Sequence, residues 1–161
     1  FCDFKILIGV LTLLGFCGLA ISISSTERIY KSFVNKRFLL QYIHCIVMGD
    51  FNDNPSNKSI KTLVNSQDLY NPMESLLTYA KGSLSYRLQW NLFDQILFST
   101  NFFEYKPNAH SFSNANVFDK EFLKQFKGKY KGTPFRTYVG KKYKGGYSDH
   151  FPVYMHLKKT T

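Results

Sequence analysis

Residues 43–49 (IHCIVMG) limit the folds open to this chain more than any other segment. Their apolar, β-branched character predicts a buried strand, and the strand delivers an acid, Asp50, to its end. Asn52-Asp53-Asn54-Pro55-Ser56 follow at once, a cluster of turn-forming residues. A helix is predicted next, over 57–65, with Ile60, Leu63 and Val64 on one face and Ser56 as its N-cap. Residues 93–99 (FDQILFS) predict a second strand, 119–126 (DKEFLKQF) a short helix, and 151–157 (FPVYMHL) a last strand. In 25–42, Ile29, Phe33, Val34, Arg37 and Leu40 are spaced loosely like a helix laid on that sheet. Strands alternating with helices make this an α/β chain. No internal repeat, glycine-rich phosphate loop or dinucleotide fingerprint interrupts the pattern.

The apolar content of 44% against 20% charged residues is that of a globular domain, and 161 residues suffice for one core. The net charge of +10 favours a polyanionic partner, such as nucleic acid, phosphorylated lipid or an anionic surface. Cys2, Cys17 and Cys45 are odd in number and lack metal-ligand spacing, so they read as small hydrophobes without a disulfide framework. Residues 6–23 carry no charge and follow Lys5. Residues 1–24 are therefore expected to be a secretion signal or membrane anchor, with membrane association through 6–23. That implies a secreted, periplasmic or membrane-anchored protein. A buried helix or strand, or out-of-frame sequence, are the alternatives for this segment.

Phosphate-ester hydrolysis requires charge neutralisation at the phosphate, an oriented water and a donor to the transition state. Asp50 and Asn52, two apart at a strand end, are expected to share one side of the backbone. Asp50 could then bind a metal or orient water, and Asn52 could donate to a phosphate oxygen. Asp149-His150 offers a carboxylate and an imidazole, but neighbours on an extended chain point apart, so a third group must orient the ring. Asp94 is the candidate, and such a pairing raises the imidazole's basicity and fixes its tautomer. Residues 120–144 carry nine Lys or Arg against one acid, Glu121, interleaved with aromatics. They read as an electrostatic rim, with Arg136 as a phosphate contact, or as a solvated loop with inward aromatics. His110 is placed in a polar loop and His156 on a strand face.

Gly49-Asp50-Phe51-Asn52-Asp53, then 90–99, then Tyr147-Ser148-Asp149-His150-Phe151-Pro152-Val153 resemble, in order, three motifs of the endonuclease/exonuclease/phosphatase superfamily. Asn71-Pro72-Met73-Glu74, Gly82-Ser83-Leu84 and Phe135-Arg136-Thr137-Tyr138 are similar to the C-terminal part of its Bacteroidetes-type members. The resemblance implies the second half of a four-layer α/β sandwich with mixed, largely antiparallel sheets, incomplete here, over 25–161. It implies a metal-dependent phosphoesterase of the nuclease or phosphatase kind, using Mg²⁺, with Mn²⁺ or Ca²⁺ as alternatives. Asp50 would position the attacking water and help hold the metal. Asn52 would hold the phosphate, Asp94 would pair with His150, Asp149 would lie at the metal, and His150 would contact the scissile phosphate.

The family's N-terminal half, with an early Asn, a metal-binding Glu and a second His, has no counterpart. Glu27 and His44 are structural or incidental. Without that half the chain is expected either to hydrolyse a phosphate ester or to be inactive as it stands, with one sheet face exposed unless a partner covers it. The alternative is a non-catalytic, truncated or membrane-anchored module that binds an anionic polymer.

Overall fold

The computed structural model describes residues 44–161 together with the backbone of two short strands, β1 (Phe4–Leu7) and β2 (Ala20–Ile21). The helix expected over 25–42 and most of the apolar segment 6–23 lie outside the described residues. Among the described residues no helix is long and apolar enough to cross a membrane.

Side chains packed on both faces of one sheet organise the core. β3 (Ile46–Asp50) and β7 (Asp94–Ser99) pair antiparallel, with Ile46 opposite Phe98 and Asp50 opposite Asp94. β4 (Leu69–Tyr70) adds to β7, and β2 runs parallel to β3, giving the order β2-β3-β7-β4. Side chains on a strand alternate between faces. Val47 and Leu97 therefore turn one way, where they meet Ile60 and Leu63 of helix α1 (Lys58–Gln67). Ile96 and Phe98 turn the other way, with Ile46 and Met48 beside them. There they meet Val117 of β8 (His110–Val117) and Val153 and Met155 of β11 (Val153–Lys159). β8, β11 and β1 form the second sheet, in the order β1-β11-β8. The described layers are thus helix, sheet and sheet in a mixed α/β arrangement. Phe98 is fully buried between the sheets, a contribution of about 1.5–3 kcal/mol for one such side chain.

This packing corrects the expectation of an uncovered sheet face: β8 and β11 of the chain itself cover the inner face of β3 and β7. His110 is not in a loop but opens β8, opposite Lys159. The helix expected over 119–126 is only a 3-10 turn at Glu121–Leu123. Backbone pairing overrides the helical spacing there, because Gln125 donates to the Thr133 carbonyl and Phe135 to that of Leu123, each at 2.8 Å. α1 starts after Asn57, not Ser56, and its N-cap makes no side-chain hydrogen bond. Instead the Asp53 carboxylate accepts from Asn57 and Ser59, tying the preceding loop to the first turn. The last strand begins at Val153 rather than 151, since Pro152 has no N–H to give and Phe151 gives its own to Ser83 at 2.7 Å.

Candidate active site

Strand ends gather the polar residues. Asp50 ends β3, Asp94 opens β7 directly opposite it, and His150 lies three residues before β11. His150 also bridges Leu84 of β5 (Leu84–Tyr86), which pairs with β6 (Gln89–Asn91). The side chains of Asp94 and His150 are mostly buried. Their Oδ2 and Nδ1 atoms lie 2.7 Å apart. A carboxylate only accepts, so the ring donates from Nδ1, and Nε2 is its remaining polar atom. This hydrogen bond raises the imidazole pKa above its ordinary 6.5. Burial opposes the rise, and the charges of Asp94, Asp149 and Asp50 reinforce it.

The period-two placement of Asn52 needs correcting. β3 ends at Asp50, and Asn52 sits in the left-handed region with φ 54°, a conformation Asn tolerates better than most residues. Its backbone N–H donates to Asp50 Oδ1 at 2.9 Å, so a local turn rather than strand alternation relates the two residues. The Asn52 side chain is exposed. Asp149 is exposed too, and its Oδ2 lies 3.7 Å from Arg136 Nη1. A half-exposed pair of that length is worth about 0–1 kcal/mol, too little to hold Arg136 against a phosphate.

Residues that carry no chemistry themselves set this geometry. Gln95 is fully buried; its Nε2 donates to the Asp53 carbonyl at 2.6 Å and its Oε1 accepts from Asn71 Nδ2 at 2.7 Å. Asn54 accepts from the Leu92 N–H at 2.8 Å and donates to Asn91 at 2.9 Å. These bonds pin the loop after Asp50 to the segment before Asp94. Ser83 joins the other two segments: its carbonyl takes the Phe151 N–H, and its hydroxyl lies 3.4 Å from the Asp94 N–H. Gly82 must be glycine, since a Cβ there would lie 2.3 Å from the Asn91 carbonyl oxygen. Gly146 is equally confined, with the Phe135 carbonyl oxygen 2.1 Å from where its Cβ would be. Sequence reasoning noticed Asn71, Gly82 and Ser83 only as family resemblance and missed Gln95, whose polar character inside an apolar strand was the available signal.

Asp50 and Asp149 carry carboxylate oxygens, the donor type that hard cations take. Among the described residues no three His, Cys, Asp or Glu side chains gather as a metal-binding group. The donor type fits Mg²⁺.

The chain is similar to several solved structures. An endonuclease/exonuclease/phosphatase family protein from Bacteroides thetaiotaomicron is 18% identical, with 81% of this chain and 41% of that one covered and a TM-score of 0.45. A mannosyl-6-phosphatase from the same species is also 18% identical, covering 82% and 42%, with a TM-score of 0.41. Beta toxin from Staphylococcus aureus, crystallised as a mutant with bound magnesium ions, is 13% identical, covering 88% and 52%, with a TM-score of 0.46. The chain thus spans about half the length of these proteins or less. No curated protein matches. The model of the endonuclease/exonuclease/phosphatase family matches residues 24–159, most of the chain, and the chain therefore belongs to that family.

Proposed function

We propose that this chain carries the Asp–His part of a metal-dependent phosphoesterase site and hydrolyses a phosphate ester there. The observation that carries the reading is His150, oriented by Asp94 at 2.7 Å on strand ends that also bring Asp50 opposite Asp94. The raised imidazole pKa keeps His150 protonated to higher pH than usual, so Nε2 can donate to a non-bridging phosphate oxygen as charge builds on it. Asp50 accepts a hydrogen bond from the attacking water and holds its oxygen toward phosphorus. Asn52 and Arg136, both at the exposed rim, bind phosphate oxygens. Asp149 and Asp50 are the residues that would hold Mg²⁺, which when bound would neutralise phosphate charge.

The test is release of nitrophenolate from bis(p-nitrophenyl) phosphate by the purified chain, with Mg²⁺ and with EDTA. The reading expects turnover that needs the metal. A rate equal to the buffer rate under both conditions would count against it.

A second reading is binding of an anionic polymer without turnover. It is favoured by a ribbon just before the site, β9 (Tyr138–Val139) and β10 (Lys142–Tyr143), which exposes Tyr138, Val139 and Tyr143 among lysines. Binding of that kind weakens steeply with salt, and binding without turnover in the same assay would select it.

A further inference from the structure

A recess of about 420 Å³ opens beside the site, between the β5–β6 ribbon and the 119–133 segment. Tyr79, Lys81, Trp90, Lys124, Lys131 and Phe151 line it, and Asp50, Asn52, Asp94 and His150 do not. It lies at the same end of the sandwich as the site, because Phe151 directly follows His150 and the Asp119 on its wall follows β8 closely.

Its lining combines flat rings and positive charge. Trp90 is half-buried and stacks on Phe151, with ring centroids 6.1 Å apart and planes at 22°. Tyr79 is wholly exposed, at 102% of its reference area, and so contributes nothing to the core. Lys124 is engaged by Glu121 at 2.8 Å and Asp119 at 3.5 Å. Lys81 Nζ donates to a neutral group, Asn116 Oδ1, at 2.8 Å. Among the described residues no carboxylate pairs with Lys81 or Lys131. The ribbon forming one wall is also strained: Arg87 and Leu88 take φ 51° and 66° where a tight hairpin turn would ordinarily use Asn-Gly. Leu88, a bulky residue in that conformation, lines the recess. Strain retained in a folded chain clusters at ligand-binding positions.

We propose that this recess takes the base of a nucleotide, with Tyr79 and Trp90 as its stacking surfaces and Lys81 and Lys131 drawing the adjoining phosphates. The volume lies in the range of small-molecule sites, and base–aromatic stacking beside cationic side chains is how nucleotides are held without sequence readout. The inference rests on the phosphoesterase reading for what happens to the phosphate, and it narrows the substrate to nucleotides or oligonucleotides over sugar and lipid phosphates.

Trp90 is the single tryptophan of the chain, so in the folded chain its emission comes from a residue that lines this recess. The full chain is titrated, without metal, with adenosine 5′-monophosphate and separately with ribose 5-phosphate. Saturable quenching by the nucleotide and none by the sugar phosphate is expected. Tyr79→Ala, which removes no core contact, is expected to weaken the nucleotide about tenfold, within what one base–aromatic stack supplies. Lys81→Met with Lys131→Met is expected to flatten the salt dependence. Equal response to both ligands, no saturable quenching, or an unchanged Tyr79→Ala would overturn the proposal. If quenching saturates as expected and bis(p-nitrophenyl) phosphate is not turned over, the hydrolytic reading fails and the recess stands. Turnover without saturable nucleotide quenching is the reverse.

Discussion

Replacing Gln95 by leucine keeps the volume at a fully buried position and removes two hydrogen bonds at once. The Asp53 carbonyl loses its donor at 2.6 Å and the buried Asn71 Nδ2 loses its acceptor at 2.7 Å. Each stranded polar group costs about 1–3 kcal/mol, while the added apolar burial returns roughly 1 kcal/mol. The net loss is about 1–5 kcal/mol, a large share of the roughly 5–15 kcal/mol that holds a domain folded. In urea, with a slope of about 1–3 kcal/mol per molar, the midpoint should fall by roughly 1–2 M. Trp90 emission follows the transition. Asn71→Leu in the same background should add less than it costs alone, since its Nδ2 has already lost Gln95 and only the Met73 N–H bond to its Oδ1 is still to lose. A fall of less than about 0.3 M, or full additivity of the two substitutions, would refute the bridging role of Gln95.

Asp94→Asn removes the charge that raises the His150 pKa, so the imidazole should titrate lower than in the parent chain when followed by NMR in the absence of metal. The sign for stability follows from the raised value: the contribution is whole below about pH 6.5 and is lost as pH rises through the folded pKa. The stability gap between parent and Asp94→Asn should therefore narrow on the alkaline side, and a gap that widens there contradicts the pairing. Gly146→Ala should cost about 1–3 kcal/mol, because the new methyl would lie 2.1 Å from the Phe135 carbonyl oxygen and 2.5 Å from that of Arg136. An unshifted thermal melt would count against that close approach.

The strands that carry the site were legible because they are apolar runs ending in acids. β3 and β7 fall within one to three residues of where their composition puts them. β8 was not legible: its sequence, HSFSNANV, is mostly polar, and Phe112, Ala115 and Val117 act as an inward face only once β11 lies beside them. Helical spacing over 119–126 was real but local, and pairing with residues 133–135 outweighed it. The Asn52 placement failed because a periodicity rule was carried two residues past the end of its strand. Order along the chain suggested Asp94 as the partner of His150, since residues 56 apart are related by nothing local. Gln95 resembled any other residue of an apolar strand until its two partners, from separate loops, were seen around it.

If Asp50 and His150 act on a phosphate ester, turnover of bis(p-nitrophenyl) phosphate by Asp50→Ala and His150→Ala, measured beside the parent chain, shows it. With Mg²⁺ present and urea midpoints confirming that each variant folds, the account predicts a fall of at least about 10²-fold in kcat for each, the scale of a lost acid–base or charge-stabilising group. Turnover within a few-fold of the parent in either variant would contradict it.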